Sequence, residues 1–278
     1  MKKIIILLFS LIFLYSCAED KKRDSPLDPL SIDSVGFKLN SDKEIIYEDW
    51  FLELQHFNYI NPINMLVYSD NGDRLYAKNV ALEDGLIDKG VRFYGTNNYC
   101  YFINRAALHD SMQYIGYTVS FWIKFFDVNR HQYIFVINSE YAMLSAAHGF
   151  AISITNRKIG ISYMNFALPQ YSNITVTEGQ WYLITCLVND IYRVLQLFIN
   201  GEPDITVPIH CIDVDLFKHN PGGYFQETGF IQNIYLGQNQ TFDTDKVLNG
   251  IIDEFIIIPN YYLPSIQIKQ YYDFVKPG

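Results

Sequence analysis

The segment GQWYLITCLVNDIYRVLQLFING, residues 179–201, decides how the chain is to be read. It opens on a glycine turn and runs through eight residues rich in β-branched and aromatic side chains, Trp181 to Val188. After a polar interruption a second such run, Val194 to Asn200, ends on Asn200-Gly201. Residues of this kind suit a pleated, half-buried surface. Asn-Gly fits a two-residue hairpin turn, in which both central residues need positive φ. The segment therefore predicts two antiparallel strands and a third chain direction beyond the turn.

The same grammar extends in both directions. Candidate strands cover 45–54, 74–78, 91–93, 99–103, 117–126, 133–138, 149–155, 158–165, 181–188, 194–200, 231–236 and 250–258. In Phe150-Ala151-Ile152-Ser153-Ile154-Thr155 the large apolar residues fall on one face and the small or polar ones on the other, the period-two signature of a strand. Turn chemistry separates the runs at Asn71-Gly72, 156–158, Glu178-Gly179 and Pro221-Gly222-Gly223. Many short strands at this spacing imply an all-β antiparallel sandwich or barrel. No alternation of strands with helices occurs, which disfavours a doubly wound fold. Helix is expected at 263–274, where Pro264 suits a first-turn position, and as a short piece at 104–112. Residues 210–230 read as a long loop, a feature that is often functional in a compact domain.

Composition narrows the function. The 278 residues are 49% hydrophobic and 18% charged, with 22 Tyr, 20 Phe and 3 Trp. Such a chain can bury a core and is not intrinsically disordered. Its net charge of −9 disfavours nucleic acid as a partner, because phosphate contacts need clustered Lys and Arg.

Residues 1–16 carry a signal-like pattern. Lys2 and Lys3 precede an apolar run from Ile4 to Tyr15, too short to span a bilayer comfortably, which takes about 20 residues, but suited to a signal-peptide core. The run ends in Leu14-Tyr15-Ser16-Cys17, which resembles the lipobox of bacterial lipoproteins, although Tyr15 replaces the commoner small residue. The resemblance implies acylation of Cys17 after removal of residues 1–16. It thus implies a membrane partner reached through an N-terminal lipid anchor. The polar stretch that follows, 17–34, reads as a flexible tether, and 35–278 as the folded domain, with 35–89 supplying N-terminal strands. Glu19 and Asp20 resemble acidic surface-export signals of some outer-membrane lipoproteins, which implies exposure at the cell surface.

Four further segments, in order, resemble the laminin-G-like branch of the concanavalin-A-like jelly-roll superfamily. They are Gly90–Gly95 with Tyr99, then Tyr117–Lys124, then Glu178–Tyr182 followed by Leu195–Gly201, and last Gly250–Phe255 with Leu263 to Ile268 after it. The resemblance covers about residues 90–275 and implies an antiparallel two-sheet jelly-roll sandwich with a short C-terminal helix. Period two places Trp122 with Ser120 and Lys124; the family implies that this Trp packs into the sandwich. Trp181 is expected to close one sandwich end, and Asp253-Glu254 to be structural.

Catalytic patterns are scarce. Some glycoside hydrolases share this fold, and a retaining enzyme needs two carboxylates about 5 Å apart across the sugar bond. Residues i and i+2 share a strand face, so Glu-x-Asp-x-Glu or a close variant is expected. Glu48-Asp49, Glu83-Asp84 and Asp253-Glu254 lack that spacing. GxSxG, HExxH, Walker and GxGxxG patterns are missing from the sequence. No catalytic residue is assigned. No cofactor is expected, although relatives bind calcium through loop oxygens; Asp70-Asn71-Gly72-Asp73 and Asp243-Thr244-Asp245 are the richest clusters, with solvated turns the plainer reading. Cys100, Cys186 and Cys211 cannot all pair with one another. Cys100 and Cys186 sit in apolar runs and read as buried thiols, with one disulfide open as an alternative.

Glycan binders set aromatic faces against the C–H faces of sugars and read the hydroxyls with short polar groups. Tyr141, His148, Tyr163, Asn165, Tyr171 and Tyr224 are the candidate contacts, Tyr163 and Asn165 because they share a strand face and the others because they fall in nearby turns and loops. The expected function is a non-catalytic, glycan-binding jelly roll on a lipoprotein at the outer membrane. The alternative is a protein-interaction or adhesin module of an outer-membrane assembly, and, further off, a divergent glycoside hydrolase.

Overall fold

A computed structural model describes residues 53–55, 59–61, 66–68, 74–102, 116–139, 149–163, 169–189, 194–208, 232–238, 244–259 and 263–277. The strands are β1 (Glu53–Gln55), β2 (Tyr59–Asn61), β3 (Leu66–Tyr68), β4 (Arg74–Lys78), β5 (Ala81–Asp84), β6 (Lys89–Tyr94), β7 (Tyr99–Phe102), β8 (Gly116–Phe125) and β9 (Gln132–Ser139). They continue with β10 (Gly149–Thr155), β11 (Lys158–Tyr163), β12 (Gln170–Tyr171), β13 (Trp181–Asn189), β14 (Val194–Ile199), β15 (Glu202–Pro208), β16 (Gln232–Leu236) and β17 (Asn249–Pro259). One helix, α1, spans Ser265–Val275. Among the described residues no helix is long and apolar enough to cross a membrane.

The strands form two antiparallel sheets. The eight-stranded sheet has the order β15-β14-β13-β8-β17-β6-β5, with β1 also paired to β17. The nine-stranded sheet runs β12-β11-β10-β9-β16-β7-β4-β3-β2. Period two then sorts the side chains. Val119, Phe121, Ile123 and Phe125 of β8 point between the sheets and are buried there with Phe135, Ile137, Ile152 and Ile161 from the opposite sheet. Phe255 of β17 joins the two layers, its ring centroid 6.2 Å from Phe121 and 5.9 Å from Phe135. The architecture is the expected sandwich with a short C-terminal helix.

The predicted hairpin at Asn200-Gly201 is present. Both residues have positive φ, 55° and 80°, and they join β14 to β15. A side chain at Gly201 would also meet the backbone of Lys269 in α1. The strands read from sequence did not include β15, which carries Pro203 and Pro208. Its position at the sheet edge resolves this, since an edge strand tolerates the missing N–H.

Trp122 is buried, but outside the sandwich interior. It does alternate with Ser120 and Lys124 on the outer face of the eight-stranded sheet, where α1 covers it. A second core forms there from Trp122, Leu183, Leu187, Phe198, Ile256, Ile258, Leu263, Ile268, Tyr271 and Val275. The Trp122 indole donates to the Tyr271 hydroxyl at 3.1 Å, and the Tyr272 ring stacks on the indole at 5.7 Å. Trp181 is only partly buried, at the margin of this second core. Cys100 and Cys186 are buried free thiols on the inner faces of opposite sheets. Cys211, the proposed helix at 104–112 and the loop at 210–230 lie outside the described residues, as do residues 1–52.

Trp122 fills the centre of the second core, so Trp122→Ala is expected to cost about 3–5 kcal/mol, the usual range for emptying a buried aromatic site. Urea unfolding followed by circular dichroism measures this, with the β-rich spectrum of the folded variant retained.

Candidate functional site: a tyrosine-lined sheet face

The outer face of the nine-stranded sheet follows from its inner one. Ala77, Cys100, Ile234 and Leu236 are in the interior core, so their strand neighbours Tyr76, Tyr99, Tyr101 and Tyr235 face outward. Register brings three of them into one row: Tyr76 pairs with Tyr101, and Tyr101 with Tyr235. The Tyr76 and Tyr101 ring centroids are 4.9 Å apart, Tyr99 and Tyr101 6.1 Å, and Tyr101 and Tyr235 6.2 Å. The Lys78 ammonium lies 5.6 Å over the Tyr99 ring. Burial, with the neighbouring phenols adding to it, pushes the Tyr99 and Tyr101 hydroxyls above the usual tyrosine range. Both stay neutral at physiological pH.

The face continues past β16. On β9 and β10, Tyr133 pairs with Ser153, and on β11 and β12 Gly160 pairs with Tyr171. His131 meets the Tyr133 ring edge-on at 4.9 Å and shares a 2.6 Å hydrogen bond, through Nδ1, with Thr155 Oγ1. Tyr171 is 45% exposed, and its ring lies directly over Gly160, where a Cβ would come within 3.0 Å of it. Glycine is what lets this ring approach the strand so closely. Lys158 holds β12 in place by donating to the carbonyls of Ser172 and Asn173.

Of the residues expected to contact a ligand, Tyr171 is therefore on this face. Tyr163 pairs with Phe150 and continues the series Ile159, Ile161. Ile159 and Ile161 are core residues, so position 163 belongs to the sandwich-facing side of β11. Tyr141, His148, Asn165 and Tyr224 lie outside the described residues, as does Cys17. Tyr76, Tyr99, Tyr101 and Tyr235 were not singled out from sequence. The available signal was the alternation Tyr99-Cys100-Tyr101, two aromatics flanking a small apolar residue.

Asp253 and Glu254 sit elsewhere, on the eight-stranded sheet, and both are buried. Asp253 Oδ2 accepts from the backbone N–H groups of Leu86 and Ile87 at 2.8 and 2.9 Å, and Oδ1 from that of Glu254 at 2.8 Å. Its carboxylate therefore ties the 85–88 turn to β17. Burial, and next the charge of Glu254, push its pKa up to about 8 against the pull of those three donors. Among the described residues no group of three or more His, Cys, Asp or Glu could hold a metal ion. Asp70–Asp73 and Asp243 fall outside the described residues, and Asp245 lies in a short 3-10 turn, Thr244–Lys246.

Two stacked antiparallel sheets with an outward aromatic face are the architecture of a lectin-type sandwich. The chain belongs to the concanavalin A-like lectin/glucanases superfamily, whose laminin-G-type family model matches residues 95–261. Among curated proteins none matches the chain by sequence. Solved structures share the fold at low identity. A Trypanosoma rangeli sialidase in complex with 2,3-difluorosialic acid has a TM-score of 0.60 at 10% identity, covering 88% of this chain and 37% of that one. A botulinum neurotoxin type C structure, described by its dependence on two ganglioside molecules, has a TM-score of 0.56 at 16% identity, covering 82% and 52%. The binding domain of botulinum neurotoxin DC with rat synaptotagmin II scores 0.55 at 14% identity, again covering 82% and 52%. The chain thus matches only a part of each of these proteins.

The raised carboxyl at Asp253 has a pH signature. Its folded-state pKa, about 8, lies above the unfolded value of about 3.9, so between the two the folded chain holds a proton that the unfolded chain has lost. The associated stability is full below the lower value and disappears as pH rises through the higher one. The melting temperature is expected to fall between pH 6 and pH 9. Glu254→Gln, which removes the neighbouring charge, flattens that fall in a calorimetric pH series.

Proposed function

We propose that this chain is a non-catalytic carbohydrate-binding lipoprotein displayed on the outer face of the outer membrane. The observation that carries the binding reading is the outward cluster of half-buried Tyr76, Tyr99 and Tyr101, backed by the buried Tyr235, with Lys78 at its margin. Neutral phenols offer flat π-faces for sugar C–H groups and hydroxyls that both donate and accept. The superfamily description, lectins and glucanases, makes a saccharide the natural ligand class. Binding without hydrolysis is supported by where the Asp253-Glu254 pair lies: on the other sheet and buried, with the Asp253 carboxylate engaged by backbone donors.

A glycan array probed with the full chain, purified in mild detergent, tests the binding role. Tyr101→Ala is expected to weaken capture of the best ligand by about tenfold, equivalent to 1.4 kcal/mol, while Tyr101→Phe retains most of it. Absence of capture across plant, host and microbial glycans, together with co-purification of a protein partner, would instead favour the adhesin reading. Release of reducing sugar would revive a hydrolase.

The anchor rests on Leu14-Tyr15-Ser16-Cys17. Cys17→Ser is expected to abolish incorporation of radiolabelled fatty acid and to shift the chain from the membrane to the soluble fraction. Unchanged labelling would refute the lipoprotein assignment.

A further inference from the structure

The outer face of the eight-stranded sheet is divided. α1 covers the half that holds Trp122, Leu183, Ile256 and Ile258. The other half carries a row of alternating rings and cations. Lys124 of β8 faces Trp181 of β13 on one side and Ile251 of β17 on the other, and Ile251 faces Arg92 of β6. The Lys124 ammonium lies 4.9 Å over the Trp181 ring and 5.7 Å over the Phe126 ring. The Arg92 guanidinium lies 4.2 Å over Phe126 and 4.8 Å over Tyr94. The order along the surface is therefore Trp181, Lys124, Phe126, Arg92, Tyr94.

Three features separate this row from ordinary surface packing. Tyr94 and Phe126, both large and apolar, remain 48% and 38% exposed. The two cations differ in how far they are neutralised: among the described residues Lys124 has no ion-pair partner, with Asp84 acting on it only at longer range, whereas Arg92, its side chain 13% exposed, faces Glu83 at 3.7 Å, and Glu83 also accepts from the Tyr94 hydroxyl at 3.3 Å. The scaffold is also rigid. Arg92 donates to the carbonyls of Phe93 and Gly250, so its guanidinium is held against the sheet rather than swinging in solvent. A cation–π contact places a charge but leaves it in force, so an anion approaching from solvent meets the Lys124 ammonium framed by flat apolar rings, with the mostly buried Arg92 guanidinium behind them.

We infer that this row is a second ligand site, which takes an acidic saccharide, with sugar rings lying on Phe126 and Tyr94 and a carboxylate or sulfate meeting Lys124 and Arg92. Both halves of that ligand are required by the row: the exposed rings fit the C–H faces of pyranoses, and the cations fit a negative substituent. A neutral sugar would leave Lys124 uncompensated, and an unstacked small anion would leave the rings exposed. The chain's net charge of −9 does not prevent this, because at physiological ionic strength fields are screened beyond about 8 Å and the local cations dominate. The site lies on the opposite sheet from the tyrosine face, so each can fail without the other.

The test is titration of the full chain, in mild detergent, with an oligogalacturonate and with a chondroitin sulfate oligosaccharide, against a neutral dextran oligomer. At least one acidic oligomer is expected to bind, with affinity falling as sodium chloride rises from 50 to 300 mM, and the neutral oligomer is not expected to bind through this row. Lys124→Gln and Phe126→Leu, both conservative at the surface, are each expected to weaken acidic-oligomer binding about tenfold. Tyr101→Ala leaves it unchanged. Failure of both acidic oligomers to bind overturns the inference. So does binding that Lys124→Gln and Phe126→Leu leave intact, binding lost in Tyr101→Ala, or capture of an acidic peptide in place of either oligosaccharide.

Discussion

The eight-stranded sheet depends on one extra residue in β17. Register shifts between Asp253 and Ile256, where β17 runs beside β8, and Glu254 sits at the irregularity with a φ of 49°. Side chains of a strand alternate between faces, and a shift of one residue exchanges them all. A bulge inserts such a residue and resets the phase. Before it, Ile252 faces the sandwich interior. After it, Phe255 and Ile257 do so, while Ile256 and Ile258 face α1. Without the insertion Phe255 would leave its place between Phe121 and Phe135. The Asp253 carboxylate, bonded to three backbone N–H groups around the bulge and the 85–88 turn, holds this irregular point in position.

Burial on both faces also explains why Gly250–Ile258 reads as an almost unbroken apolar run. It is a central strand with a sandwich on one side and a helix on the other. Local alternation does not reveal that second cover. Trp122 was correctly grouped with Ser120 and Lys124 by period two, yet its burial comes from Tyr271 and Tyr272, far along the chain. Most longer strands were legible because each has strong β-branched and aromatic content. β2, β3, β5, β12 and β15 were not, the first four being short, β5 half charged as well, and β15 carrying two prolines.

The tyrosine-lined face was less legible than the fold, for a definite reason. Tyr76, Tyr101 and Tyr235 belong to strands that become neighbours only through sheet order, with β16 inserted between β9 and β7. No window of sequence contains them together. Tyr163 was read as sharing a strand face with Asn165, which lies outside the described residues; position 163 itself follows the phase of Ile159 and Ile161, which face the core. Tyr171 was reached from sequence as a loop aromatic; its close seat over Gly160 needed the β11–β12 pairing. The two aromatic surfaces that result face away from each other, one lined by phenols and one interleaved with cations.

The order of the strands has a consequence for how the chain matures. β17 joins β8 to β6, and α1 seals the outer side of β8. Both come from the carboxyl end of the chain, residues 249–275. A nascent polypeptide lacking them has its eight-stranded sheet in two pieces and an uncovered indole at Trp122. Cooperative folding of this sheet therefore waits for residues 249–275, and the many long-range pairings make it slow.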